Sequence, residues 1–131
     1  MKKSFFVLFV LVLSAMAVQA QGNQVSPQDS IIFEKTTHDY GTINYGGDGT
    51  CEFVFTNKGQ TALVLTNVQA SCGCTIPEWP KEPVAPGKTG IIKVKYNTNL
   101  PGPFRKSVSV SSTAANSLVS LVITGTVSAA N

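Results

Sequence analysis

Charge is scarce in this sequence. Asp, Glu, Lys and Arg make up 13% of its 131 residues, against a usual share of about 25%. The formal net charge of +3 includes Lys2 and Lys3 at the N-terminus, so the rest of the chain is close to neutral. That excludes the basic excess of a nucleic-acid footprint, and no nucleic-acid partner is expected. Methionine occurs only at Met1 and Met16, so the later chain offers no thioether to a soft metal site. There is one histidine, His38, and one tryptophan, Trp79. No window carries the i, i+3, i+4, i+7 pattern of an amphipathic helix. The longest apolar run, Phe5 to Leu13, is too short for a spanning helix, which needs roughly 20 apolar residues.

That run has another reading. Lys2 and Lys3 precede it, and a small-residue stretch ending Val18-Gln19-Ala20 follows. A basic start, a short apolar segment and a V-x-A site describe a cleavable secretory signal peptide over residues 1–20. Cleavage after Ala20 leaves 111 residues, the size of one domain. No cysteine sits at the junction, so a lipid anchor is not expected. Nor does a second apolar segment follow, so the mature chain is expected to lack a membrane span and to be periplasmic or secreted.

Beyond residue 20, Val and Ile number 18 against 5 Leu, and Thr adds 13. β-Branched enrichment of this kind favours strands. Gln21 to Ser30 is polar and reads as a flexible arm. Ile31 to Lys35 reads as a first strand with Phe33 inward, and His38 to Ile43 as a turn into a short segment. Gly46-Gly47-Asp48-Gly49 is a strong turn. Thr50 to Asn57 alternates, with Cys51, Phe53 and Phe55 on one face. In Ala62 to Ala70 the phase changes between Leu65 and Val68, which a bulge near Thr66-Asn67 reconciles. Ser71 to Gly87, with prolines at 77, 80, 83 and 86, reads as loop, as does Pro101 to Pro103. Gly90 to Asn97, Phe104 to Ser112 and Leu118 to Val127 alternate again. Their inward residues are Ile92, Val94, Tyr96, Phe104, Val108, Val110, Val119, Leu121, Ile123 and Val127. About seven strands in about 100 residues predict an all-β, immunoglobulin-like antiparallel sandwich over residues 31–127. A short tail, 128–131, follows.

One local feature stands out chemically: Ser71-Cys72-Gly73-Cys74-Thr75. In an oxidising compartment two such thiols form a disulfide by default, with Gly73 expected to ease the tight ring. The same pair could instead serve thiol exchange, or supply metal ligands with His38 as a weak third. No metal site is expected, because a tetrahedral site wants four N/S ligands. The C-x-x-C spacing of thioredoxin-like redox pairs is absent. Cys51, in phase with Phe53 and Phe55, reads as a buried free thiol. No G-x-S-x-G nucleophile motif occurs, so no catalytic residue, cofactor or enzymatic activity is expected. Glu78, Trp79 and Pro80 form a candidate binding loop, in which Trp79 either anchors a partner or caps the end of the sandwich.

Several segments together resemble a known group. Phe33 with His38-Asp39-Tyr40-Gly41-Thr42-Ile43 is similar to its opening motif, and Phe53-Val54-Phe55-Thr56-Asn57-Lys58-Gly59 to its F-x-F-x-N-x-G strand and turn. Ala70-Ser71-Cys72-Gly73-Cys74-Thr75 matches its signature. Pro86-Gly87-Lys88, Gly102-Pro103-Phe104-Arg105-Lys106 and Leu121-Val122-Ile123-Thr124-Gly125-Thr126-Val127 follow in the same order. The group is the bacterial domain of unknown function 1573, similar in fold to major-sperm-protein-like and Hydin-type Ig domains. The resemblance implies an Ig-like sandwich in an exported bacterial protein and implies no activity. By fold analogy it makes a binding module plausible, with a protein or another component of the cell envelope as the expected partner.

Overall fold

A computed structural model describes residues 30–130. The signal-peptide reading, nearly all of the N-terminal arm and the final residue lie outside them. Eight strands form: β1 (Ile31–Phe33), β2 (Thr37–Ile43), β3 (Thr50–Asn57), β4 (Leu65–Ala70), β5 (Thr75–Glu78), β6 (Thr89–Tyr96), β7 (Gly102–Ser112) and β8 (Leu118–Val127). They make two four-stranded sheets, ordered β1-β3-β6-β5 and β2-β8-β7-β4. No helix of the described residues is long and apolar enough to cross a membrane.

The alternating segments become strands for the reason their pattern suggests. One face of each sheet meets the other sheet, so every second side chain is removed from water. Phe53, Phe55, Ile92, Val94, Val108, Leu121 and Ile123 are all fully buried, with Val110 and Tyr96 nearly so. The outer faces are mixed: Ser107, Ser109 and Ser111 on β7 lie opposite Val122, Ser120 and Leu118 on β8, and Leu118 and Ile91 are exposed. The phase change in β4 is a register shift between Leu65 and Asn67, which lets Leu63, Leu65 and Val68 all face inward.

Four details depart from the sequence expectation. The strand count is eight because Thr75 to Glu78, placed in a proline-rich loop, pairs antiparallel with β6. Pro77 is tolerated there because β5 is an edge strand and need not donate on its open side. β7 begins at Gly102, two residues before the alternation becomes visible. In β1 the fully inward residue is Ile31, at 2% exposure, while Phe33 is half-buried beside Phe55 with ring centres 5.7 Å apart. Finally, the sheets are not wholly antiparallel, since β2 lies parallel to β8. β1 and β2 are two halves of one pass along the sandwich. The chain changes sheets at Glu34 to Thr36 without reversing, so β2 keeps the direction of β1. A bulge interrupts β2 between Asp39 and Thr42. There Gly41 takes φ +64°, a conformation costly for other residues.

Asn57 ends β3 and pins the far end of the sandwich. Its fully buried amide donates to the carbonyls of Thr61 (2.8 Å) and Val84 (2.9 Å), and its Oδ1 accepts from Gly59 N–H (2.9 Å). This network accounts physically for the Asn and Gly of the F-x-F-x-N-x-G segment.

Candidate functional site

At the opposite end, three connections meet: Asn44 to Gly49 between β2 and β3, Ser71 to Cys74 between β4 and β5, and Asn97 to Pro101 between β6 and β7. The second of these carries the chain from one sheet to the other. Cys72 and Cys74 are joined there by a disulfide, with Cα atoms 5.3 Å apart. Asn97 N–H donates to the Cys74 carbonyl at 2.8 Å, and Cys74 packs half-buried against the core. Gly73 departs from expectation. Its backbone is not in the left-handed region, and a Cβ added there would meet nothing within 4 Å. The ring therefore does not require a glycine at this position.

Beside the ring lies a cleft of about 370 Å³, lined among others by Gly46, Gly73, Cys74, Ile76, Lys95 and Tyr96. Its floor is rigid, because Tyr96 stacks on Phe104 with ring centres 3.8 Å apart. Its walls are held by the Gly46 N–H on the Thr98 carbonyl (3.0 Å) and the Thr98 hydroxyl on the Gly47 carbonyl (2.6 Å). Ile76, on the outer face of β5, is 62% exposed. Tyr45 and Leu100, each next in sequence to a lining residue (Gly46 and Asn99), are 44% and 43% exposed. Ile76 of β5 thus lines the cleft itself, and the two connections that supply Gly46 and Asn99 to its lining each carry an exposed apolar side chain as well. Lys95, the cross-strand partner of Ile76, is the single charged side chain in the lining.

The sequence-predicted residues fall as follows. Cys51 is a free, buried thiol, and burial pushes its ionisation up, which keeps it protonated and unreactive. The adjacent Tyr40 hydroxyl donates to the Gly49 carbonyl at 2.6 Å. His38 sits on β2, where Lys35 Nζ donates to its Nδ1 at 2.8 Å and Tyr40 meets its ring edge-on. The structure does not bring His38 to the two disulfide cysteines. Among the described residues no three His, Cys, Asp or Glu side chains are grouped to hold a metal. Trp79 is half-buried and packs against the core, with Lys81 Nζ 2.9 Å from its ring centre. The Lys81 ammonium over the ring is a cation–π contact. Glu78 and Trp79 also line a shallow groove on the outer face of the first sheet, with Glu52, Ile91 and Lys93. Pro80 is half-buried beside them. Tyr45, Ile76 and Leu100 escaped the sequence reading. The one signal available was Ile76, an isolated apolar residue in a stretch otherwise read as loop.

A family profile described as protein of unknown function (DUF1573) matches residues 31–127. The chain belongs to this family. No functionally curated protein matches it in sequence. In fold it is similar to a protein of unknown function from Porphyromonas gingivalis W83, with TM-score 0.68 and 13% identity over 76% of this chain and 48% of that one. The chain thus spans about half the length of that relative. It is also similar to the ASH / PapD-like domain of human CEP192 (TM-score 0.66, 8% identity, 80% and 89% covered). A third likeness is to WR4, an MSP family member of C. elegans (TM-score 0.50, 10% identity, 77% and 100% covered). At these identities the likeness is one of fold.

Proposed function

We propose that this DUF1573 chain is an exported, non-enzymatic Ig-like module of the bacterial cell envelope, and that it binds a protein or other envelope partner with the loop end carrying the disulfide. The observation that carries this reading is the cleft beside the disulfide, with exposed Ile76 in its lining and exposed Tyr45 and Leu100 on the two connections that complete that lining. Exposed apolar side chains scattered singly need no explanation, but a group ringed by polar residues marks an interaction site. The stacked floor and hydrogen-bonded walls hold the cleft in shape before a partner arrives, which lowers the ordering cost of binding.

Gly73 supplies a clean test. A side chain there has room, so Gly73→Gln blocks the cleft mouth without disturbing the fold. Wild-type protein should capture the same envelope component as a Leu118→Asp control, whose site lies at the far end of β8 and is 68% exposed. Gly73→Gln and Ile76→Asp should both lose it. Equal capture by all four proteins refutes the assignment. Export is tested separately by intact mass, which should show loss of residues 1–20 from the envelope-associated protein.

A second reading, thiol exchange at Cys72–Cys74, is favoured by one observation: Cys74 lines the cleft. A Cys72→Ser/Cys74→Ser protein that still captures the partner, yet fails to complement a deletion strain, would select it.

A further inference from the structure

A sandwich of two open sheets has four edge strands, here β1, β5, β2 and β4. Edge strands present unpaired backbone groups, and proteins commonly blunt them. β1 is blunted by its length of 3 residues, and β5 by its 4 residues with Pro77 among them. β2 is broken by the Gly41 bulge and carries His38 and Asp39. β4 has none of these devices along Asn67 to Ala70, because its irregularity lies before Asn67. Its flanks are closed: Leu63 is bridged to Val84, and beyond Ser71 the chain crosses to the other sheet.

The direction of each backbone group on β4 follows from its ladder. Ser71 N–H donates to the Ser107 carbonyl, so Ser71 and Ser107 form a hydrogen-bonded pair. Alternation along an antiparallel ladder makes Gln69–Ser109 and Asn67–Ser111 the next such pairs, in the register observed. The N–H and C=O of Val68 and Ala70 therefore point away from β7, out of the sheet. The side chains of Val68 and Ala70 turn inward, while those of Asn67 and Gln69 are exposed on the outer face. No charged residue occurs from Gly59 to Pro77, so this edge lacks the lysine that keeps like edges apart.

We propose that the β4 edge pairs antiparallel with the β4 edge of a second copy of this chain, about a two-fold axis through Gln69. In that arrangement Val68 of each copy exchanges both backbone hydrogen bonds with Ala70 of the other, four in all. Gln69 faces its own counterpart across a non-hydrogen-bonded position, where side chains approach most closely. An amide both donates and accepts, so it can bond to an identical amide. A glutamine at the axis is self-complementary, and a residue of either charge there is not. The two β2-β8-β7-β4 sheets become one eight-stranded sheet. The interface is small, so the dimer dissociates on dilution.

Sedimentation velocity on the purified exported chain, from micromolar to about 1 mM, tests this. The wild type should shift from monomer to dimer across that range. Gln69→Lys and Gln69→Glu should each remain monomeric, while their equimolar mixture regains the dimer. Both substitutions are at an exposed site, and an unchanged melting temperature confirms the fold. In the wild-type dimer the Val68 and Ala70 amides should gain hydrogen-exchange protection that neither variant alone shows. A wild type that stays monomeric overturns the proposal, including the case in which the edge serves a foreign strand. A dimer that survives Gln69→Lys, or a mixture that fails to restore it, overturns the β4 two-fold.

Discussion

Replacing Gly90 with alanine removes a glycine from the interior of β6, where strand propensity by itself favours the change by up to about 1 kcal/mol. The tertiary contact reverses the sign. Gly90 lies directly across from Phe55, and a Cβ at position 90 would fall on the Phe55 ring, touching Cζ and both Cε atoms. That ring is fully buried and flanked by Phe33, so it cannot swing aside freely. Overpacking of this kind costs about 1–3 kcal/mol; with the full propensity gain subtracted this leaves a net loss of up to about 2 kcal/mol and a melting temperature lower by up to roughly 15 °C for a domain of this size. Phe55→Ala alone should cost about 3–5 kcal/mol. In that background the added methyl has room, and Gly90→Ala should become neutral or stabilising, a coupling of at least about 1 kcal/mol. Urea unfolding followed by the fluorescence of Trp79, the sole tryptophan, which packs on the core, measures all four corners of the cycle. A stabilised Gly90→Ala, or strictly additive effects, would refute the steric argument.

Asn57→Asp should destabilise by about 3 kcal/mol or more at neutral pH, because a carboxylate cannot donate to the Thr61 and Val84 carbonyls it would face. The loss should shrink in acid, where the introduced carboxyl is protonated, and urea titrations at two pH values check it. Alkylation of denatured, unreduced protein should label one cysteine per chain, mapping to Cys51. The Cys72→Ser/Cys74→Ser protein should lose less than the ~3 kcal/mol expected for closing a 15-residue loop, since the ring spans only a separation of 2. His38 titrates below its ordinary value, held down by burial and then by the Lys35 charge, with Asp39 opposing. The native state therefore binds fewer protons than the unfolded chain just below pH 6.5. Stability from this group should fall as pH drops from about 6.5 to the folded value, and level off beneath it. The NMR titration of this single histidine should move up in Lys35→Gln, and an unmoved midpoint would contradict the assignment.

Some of this architecture was legible residue by residue. Period-two alternation marked β3, β6 and β8 because burial of one sheet face is recorded locally, in every second side chain. The β4 bulge was legible for the same reason, since Leu65 and Val68 could share a face only if one residue were inserted between them. The Cys-Gly-Cys ring was legible because its partners are two residues apart.

Other features belong to the tertiary structure, because they depend on which distant segments become neighbours. Nothing local marks β5 as a strand, since Pro77 within it and Pro80 just beyond argue against one. Its position at a sheet edge, beside β6, makes Pro77 acceptable. The parallel pairing of β2 with β8 joins residues about 85 apart, and no local pattern encodes the sheet a strand joins. Asn57 reads as a turn residue until Val84 is seen to come within reach of its amide. Tyr45, Ile76 and Leu100 are 31 and 24 residues apart in sequence, and only the shared end of the sandwich brings the segments that carry them to one cleft. Alternation determines which side of a strand is buried. Only folding decides which strand ends meet, and so where a partner can be met.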